Sequence, residues 1–169
     1  MRRIIATTLL CLGTIAATSP VLAQATRLSQ HNAWGSYAYQ SDGGKLCYAL
    51  SVPLPESQKP TNLDHGKVYF FVSQKPEQKT SLEPQFIAGY ELREASKVTL
   101  TIGDKTFSMF SRGKSAWLEN SEEETQLINA MRGGAQMQVS ATSGRGNETS
   151  YVFSLRGITA ALGAVGTCR

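Results

Sequence analysis

The sequence has little of what membrane proteins and most enzymes display. Its main apolar stretch, residues 4–17, is shorter than the roughly 20 residues that a membrane-spanning helix needs, so we expect no transmembrane segment. It contains no His-x-x-x-His, His-Glu-x-x-His, Gly-x-Ser-x-Gly or Cys-x-x-Cys spacing. With only two histidines in the chain, we expect no catalytic residues, no metal site and no cofactor. The sequence therefore predicts a protein that is not an enzyme.

The N-terminal segment has the layout of a secretory signal peptide. Two adjacent arginines near its start precede the apolar residues 4–17. Small-residue patterns then predict cleavage after Ala23 or, alternatively, after Ala25. We expect residues 1–23 to be a Sec-type signal peptide and residues 24–169 to form a single exported domain.

Charge of neither sign dominates this domain. The chain has 17 Lys and Arg against 13 Asp and Glu, and cleavage removes two arginines, which leaves 15 against 13. An excess this small does not attract nucleic acid or an anionic membrane. We therefore expect no nucleic-acid partner.

Cysteine is scarce, and cleavage makes it scarcer. Loss of Cys11 leaves Cys47 and Cys168, and two cysteines in an oxidising compartment predict one disulfide. The chain-entropy estimate for so long a loop is about 4–5 kcal/mol of stabilisation. The alternatives are two buried thiols or one redox-active cysteine, but no Cys-x-x-Cys or neighbouring histidine supports the redox alternative.

Apolar and polar residues alternate repeatedly along the domain, which is typical of strands. The two clearest hairpins turn at Gly103-Asp104 and over residues 143–147. We predict a mainly β fold, a β-sandwich or open barrel of about seven to nine antiparallel strands with one or two short helices.

One helix is predicted from Ser121, which we assign as its N-cap because Glu124 lies three residues later and completes a capping box. Gly133-Gly134 ends the helix. Apolar side chains at helical spacing form one face: Leu127, Ile128 and Met131. Residues 158–165 predict a second short helix before the last cysteine.

Trp117 precedes the first helix and has two interpretations. We assign it as a structural anchor that fills the wedge between helix and sheet. The alternative is an exposed binding tryptophan, which would make residues 112–118 the place to look for a partner.

The remaining candidates for chemistry have simpler explanations. His31 precedes the first predicted strand and His65 ends a loop, both ordinary positions for a polar residue. The three glutamates at 122–124 suit the positive end of the helix dipole better than a cation site. Residues 144–146 lack the Lys-Ser/Thr ending and the following helix of a phosphate loop, so we assign them to a hairpin turn.

Several segments, in their order and spacing, resemble the invasion associated locus B family. They are Lys-Val through Ile-Gly at 97–103, Ser-Ala-Trp-Leu at 115–118, Met-Arg-Gly-Gly at 131–134, Arg-Gly at 145–146, Tyr-Val-Phe-Ser-Leu-Arg-Gly at 151–157 and Ala-Ala-Leu at 160–162. The likeness extends from Trp34 to Cys168 and implies an exported α-proteobacterial protein of the periplasm or outer envelope, with no catalytic residues to carry over. Many members have an extra cysteine shortly after the first-strand tryptophan, whereas Gly-Ser-Tyr-Ala follows Trp34 here.

We therefore expect a non-enzymatic periplasmic or cell-envelope protein that acts by protein–protein or envelope interaction, with an envelope or host protein as its partner. One alternative is a secreted or surface virulence factor that promotes host-cell invasion. Two others are a small-ligand carrier and an enzyme whose class the sequence conceals.

Overall fold

The computed structural model describes residues 24–41, 44–75 and 78–168. The predicted signal peptide lies outside these residues. Within them the strands are β1 (Thr26–His31), β2 (Trp34–Ser41), β3 (Gly44–Ser51), β4 (Tyr69–Lys75), β5 (Gln78–Ile87), β6 (Lys97–Ile102), β7 (Lys105–Arg112), β8 (Ser115–Trp117), β9 (Gln136–Thr142) and β10 (Glu148–Ser154). The helices are α1 (Ser121–Gly133) and α2 (Ile158–Thr167), and a 3-10 helix lies at Pro55–Ser57.

The strands form one antiparallel sheet in the order β1-β2-β3-β4-β5-β8-β7-β6-β9-β10. The mainly β prediction is confirmed. The described residues contain ten strands rather than seven to nine. Two short or exposed strands make the difference: β1 has mostly exposed side chains, and β8 has three residues. Neither is long or regular enough to give a clear alternating pattern.

The sheet rolls up so that its last strand, β10, faces the central strands β4 and β5 across one hydrophobic core. The Phe70 and Phe153 ring centroids, from β4 and β10, are 5.8 Å apart. The Phe86 and Tyr151 centroids, from β5 and β10, are also 5.8 Å apart. All four residues are fully buried, as expected for side chains on the inner face of a rolled sheet.

The outer edge of β10 is covered by the segment that follows β3. The backbone amide of Leu54 donates to the Val152 carbonyl over 2.8 Å, and Lys59 and Ser150 exchange two backbone hydrogen bonds. These bonds satisfy edge groups that a free strand leaves unpaired. The result is an open barrel whose seam is partly closed by a connection rather than by a strand.

Trp34 is the tryptophan of the core. It is fully buried, its Nε1 donates to the Ser154 carbonyl over 2.9 Å, and its ring meets Phe70 edge-on. Nearby, Gly157 has a φ of +96°, and a Cβ there would collide with the carbonyl of His31. The chain after β10 therefore packs directly on the β1–β2 turn, where only glycine fits.

The predicted disulfide between Cys47 and Cys168 is confirmed, with Cα atoms 6.1 Å apart. It joins the buried Cys47 on β3 to the end of α2. This helix lies against β1 to β4, where the Ser36 hydroxyl donates to the Ala161 carbonyl over 3.0 Å. The helix at 158–165 is also confirmed, and it extends to Thr167.

The predicted first helix is confirmed, but the assignment of Ser121 as its N-cap is wrong by one residue. Asn120 has the extended backbone of a cap, and its Oδ1 accepts from the Glu123 amide over 2.9 Å. Ser121 is already helical. Asparagine and serine are both favoured N-caps, so the sequence offered two adjacent candidates. The predicted apolar face is confirmed by three buried residues: Leu127, Ile128 and Met131.

Candidate functional site

Trp117 is not in the hydrophobic core, and the prediction that it fills the wedge between helix and sheet is wrong. It ends β8, where Ala116 is fully buried and Trp117 is half-buried. Successive strand residues point to opposite faces, and the Phe86–Ala116 pair is on the inner face. Trp117 therefore lies on the outer face. Leu118, which is buried, occupies the interior position before the helix.

An exposed phenylalanine stands next to this tryptophan. Phe110 on β7 is directly opposite Trp117 on β8, and the two ring centroids are 5.8 Å apart at 32°. Phe110 is 39% exposed. Aromatic cross-strand pairs stabilise a sheet, but this pair also presents apolar rings to solvent.

The two rings form part of a surface cleft of about 630 Å³, which we call the aromatic cleft. Its charged residues come from three elements: Glu83 on β5, Arg112 on β7, and Glu119 and Glu124 around the start of α1. Glu83 is half-buried, Glu119 and Arg112 are exposed, and Glu124 is 6% exposed. Among the described residues that line the cleft, three carboxylates thus accompany one guanidinium.

The start of α1 forms one wall of the aromatic cleft. Asn120 and Ser121 both line it. Ser121, predicted as a structural anchor, therefore lies beside Trp117, and the structure brings the two predicted site residues to the same surface. The Asn120 cap stabilises the first turn of α1, which forms this wall.

A second depression, the polar cleft, lies around His65 and has a volume of about 580 Å³. Its lining includes Tyr90 and Thr149. A chain of contacts joins three of its lining residues through the buried Tyr151: His65 Nδ1 to the Tyr151 hydroxyl over 2.8 Å, Tyr151 to the Tyr90 hydroxyl over 2.8 Å, and Tyr90 to Thr149 Oγ1 over 2.6 Å. Burial, followed by hydrogen bonding to Tyr90, raises the pKa of Tyr151 far above its ordinary value.

His65 is a structural residue of this chain of contacts. It is 7% exposed, and its Nε2 lies 2.8 Å from the Pro60 carbonyl. A carbonyl only accepts, so Nε2 donates, and in the neutral ring Nδ1 accepts from Tyr151. Both ring nitrogens are thereby engaged within the protein. The sequence placed His65 at the end of a loop, and the structure agrees. The sequence did not predict that its ring is buried.

The rim of the polar cleft carries exposed charges of both signs: Asp64, Glu91, Lys114 and Arg145. The 143–147 turn borders it, with the Asn147 amide donating to the Ser143 hydroxyl over 3.0 Å. In residues 24–41, 44–75 and 78–168, no three His, Cys, Asp or Glu side chains are grouped so that they could hold a metal ion. His31 is half-buried at the end of β1 and is opposite Trp34 in the strand pairing.

Phe110 and Glu83 were not predicted as site residues. The signal that was available for Phe110 is its place next to Met109. Phe107 and Met109 alternate as apolar residues along this strand, and this alternation places Phe110 on the opposite, outward face. Glu83 gave no such signal, because its position near Trp117 depends on the pairing of β5 with β8.

The fold defines a class of protein first: a rolled antiparallel sheet with two helices and one disulfide that ties the C-terminal helix to β3. The crystal structure of invasion associated protein B from Bartonella henselae is similar in fold, with a TM-score of 0.59 at 12% sequence identity. The similarity covers 81% of this chain and 94% of that chain. No curated protein sequence matches this chain significantly.

The sequence model of the family described as "Invasion associated locus B (IalB) protein" matches residues 34–166. The chain belongs to this family, and the resemblance noted from its segments is confirmed. In the described part of the chain, no helix is long and apolar enough to cross a membrane.

Proposed function

We propose that this invasion-associated family member is an exported, non-enzymatic interaction protein of the cell envelope, and that the aromatic cleft is its contact surface. The observation that carries the proposal is the outer-face pair of Phe110 and Trp117. Protein interfaces are enriched in aromatic residues. Tryptophan is among the residues that most often dominate their binding energy.

The position of the pair favours recognition over a purely structural role. The core already has its tryptophan in Trp34, which is fully buried and hydrogen-bonded. Trp117 lies instead on a sheet that the core and the hydrogen-bond ladders hold rigid. Contact residues on a rigid scaffold lose little conformational entropy on binding.

The absence of enzymatic activity is part of the proposal, and the polar cleft supports it. A general base needs a ring nitrogen within reach of a substrate proton. Both nitrogens of His65 are instead engaged by Pro60 and Tyr151. The hydroxyls of Tyr90 and Thr149 also contact each other rather than standing free.

Two further observations support the proposal that the protein acts outside the cytoplasm. The Cys47–Cys168 disulfide is the kind of bond that persists in oxidising compartments, and the sequence before residue 24 predicts a signal peptide. Fractionation with intact-mass measurement tests this location: we expect a periplasmic or envelope form that begins at Gln24 or Thr26. A chain recovered from that fraction with residues 1–23 retained would contradict export by cleavage.

Photocrosslinking in the native bacterium tests the contact surface. A photoreactive phenylalanine analogue at position 110 should give a discrete crosslinked species in the envelope fraction. The same analogue at Lys105, an exposed residue at the β6–β7 turn, serves as the control and should give none. Identical products from both positions, or none from position 110, would contradict the proposal.

Two other functions have their own tests. A secreted or surface-displayed invasion factor would be degraded by protease added to intact cells, whereas a periplasmic protein would be protected. A small-ligand carrier would use the polar cleft, whose volume of about 580 Å³ falls within the range of ligand sites. Native mass spectrometry of the protein purified from its own cells would then show a bound small molecule.

A further inference from the structure

We propose that the aromatic cleft receives a cationic side chain, a lysine or arginine, from the partner protein. This inference rests on the proposed contact surface and adds the chemistry of the group that it recognises.

The cleft is negative on a chain that is positive. Without the predicted signal peptide the chain has 15 Lys and Arg against 13 Asp and Glu, yet Glu83, Glu119 and Glu124 line the cleft with Arg112 as the accompanying cation. A concave surface with an excess of one charge raises the local concentration of the opposite charge. The cleft therefore favours a cation, against the overall charge of the chain.

The helix dipole accounts for only one of these three carboxylates. Glutamates in the first turn of α1 are stabilised by the positive helix N-terminus, which explains Glu124. Glu119 precedes the cap residue, and Glu83 comes from β5. Two of the three carboxylates thus have no role in capping the helix, although they lie in the same cleft.

The two aromatic rings add a second attraction for a cation to that of the carboxylates. A lysine or arginine group near the face of an aromatic ring is attracted by the ring quadrupole, and tryptophan is the best acceptor. Trp117 and Phe110 lie within the cleft that also contains Glu83 and Glu119. A side chain that enters the cleft can therefore place its apolar stem against the rings and its charged end near the carboxylates.

The test titrates three short peptides that differ only at their central residue, which is arginine, lysine or citrulline. Citrulline keeps the shape of arginine without its charge. Binding is followed by NMR through the indole Nε1–H signal of Trp117. The buried Nε1–H of Trp34, hydrogen-bonded to Ser154, serves as an internal reference in the same spectrum.

We expect the arginine and lysine peptides to shift the Trp117 signal saturably, while the citrulline peptide leaves it unchanged. Trp117→Phe lacks the indole signal, so its binding is measured by isothermal titration calorimetry alongside the wild type, and it should be weaker by about two- to fivefold. The double variant Glu83→Gln/Glu119→Gln should weaken it by about tenfold. The control Glu56→Gln, at an exposed position in the 3-10 helix, should leave it unchanged.

Equal shifts with the citrulline peptide, or no shift with any peptide, would overturn the inference. So would full binding by the double variant. None of these results affects the photocrosslinked species expected from position 110. If position 110 gives a crosslink but peptide binding does not depend on charge, the aromatic cleft is still the contact surface. Only its proposed preference for a cation is then wrong.

Discussion

Phe110 and Trp117 are directly opposite each other on β7 and β8, with their ring centroids 5.8 Å apart on the outer face of the sheet. This pairing assigns different roles to the two tryptophans of the chain. Trp34 is a core residue and Trp117 a surface residue, which is the reverse of the role expected for Trp117 from its place before a capped helix.

The two tryptophans should therefore respond differently to substitution. Trp34→Ala removes a fully buried ring and should lower the free energy of unfolding by about 3–5 kcal/mol. Trp117→Ala removes a cross-strand aromatic contact and should lower it by about 1 kcal/mol or less. Urea denaturation measures both.

Acrylamide quenching provides an independent check of the same assignment. The fluorescence of Trp117 should be readily quenched, while that of Trp34 should be protected. If both residues are poorly quenched and Trp117→Ala loses much of its stability, Trp117 is a core residue and its assignment to the surface is wrong.

The disulfide should contribute strongly to stability. Cys168→Ser removes the link between β3 and the end of α2 and should lower the free energy of unfolding by about 2–5 kcal/mol. It should also make the C-terminal segment sensitive to proteases. Alkylation of the denatured, unreduced wild-type protein should label neither Cys47 nor Cys168; labelling of both would show that the bond does not form.

The correction at the start of α1 is testable with two neighbouring substitutions. Asn120→Ala removes the side chain that accepts from the Glu123 amide and should cost about 1 kcal/mol of stability. Ser121→Ala changes a residue that is already helical, where alanine is favoured, so it should be neutral or stabilising by up to about 0.5 kcal/mol. If Ser121→Ala lowers stability and Asn120→Ala does not, Ser121 is the N-cap.

Tyr151 should make the protein less stable at alkaline pH. Burial raises its pKa above the ordinary value of 10.0. Below that value both the folded and the unfolded states hold the proton, so the stabilisation is fully present. Above it the unfolded state loses the proton and the folded state retains it, so the free energy of unfolding falls by at most about 1.4 kcal/mol per pH unit for this group.

Tyr151→Phe separates this effect from general alkaline denaturation. The variant should be less stable at neutral pH, because His65 and Tyr90 lose a hydrogen-bond partner. Its stability should nevertheless fall less steeply above a pH of about 10. Parallel slopes for wild type and variant, measured by urea denaturation at a series of pH values, would contradict the role of Tyr151.

The long hairpins were predictable because local sequence determines them. The sequence predicts a hairpin that turns over residues 143–147, and the structure pairs β9 with β10 on either side of that turn. The face of Trp117 was not predictable, because β8 is too short to show alternation and its pairing with β5 joins distant segments. Burial of His65 likewise depends on contact with Tyr151, 86 residues away.

The yield of the envelope complex formed by Trp117→Ala decides whether this outer-face aromatic residue makes the functional contact. Photocrosslinking from position 110 is compared between Trp117→Ala and otherwise unchanged protein, at equal amounts of folded, disulfide-bonded chain. A Leu63→Ala variant serves as the matched control, because Leu63 is an exposed apolar residue outside the aromatic cleft. We expect the crosslinked species to be lost in Trp117→Ala and retained in Leu63→Ala. An undiminished yield in folded Trp117→Ala would contradict this expectation.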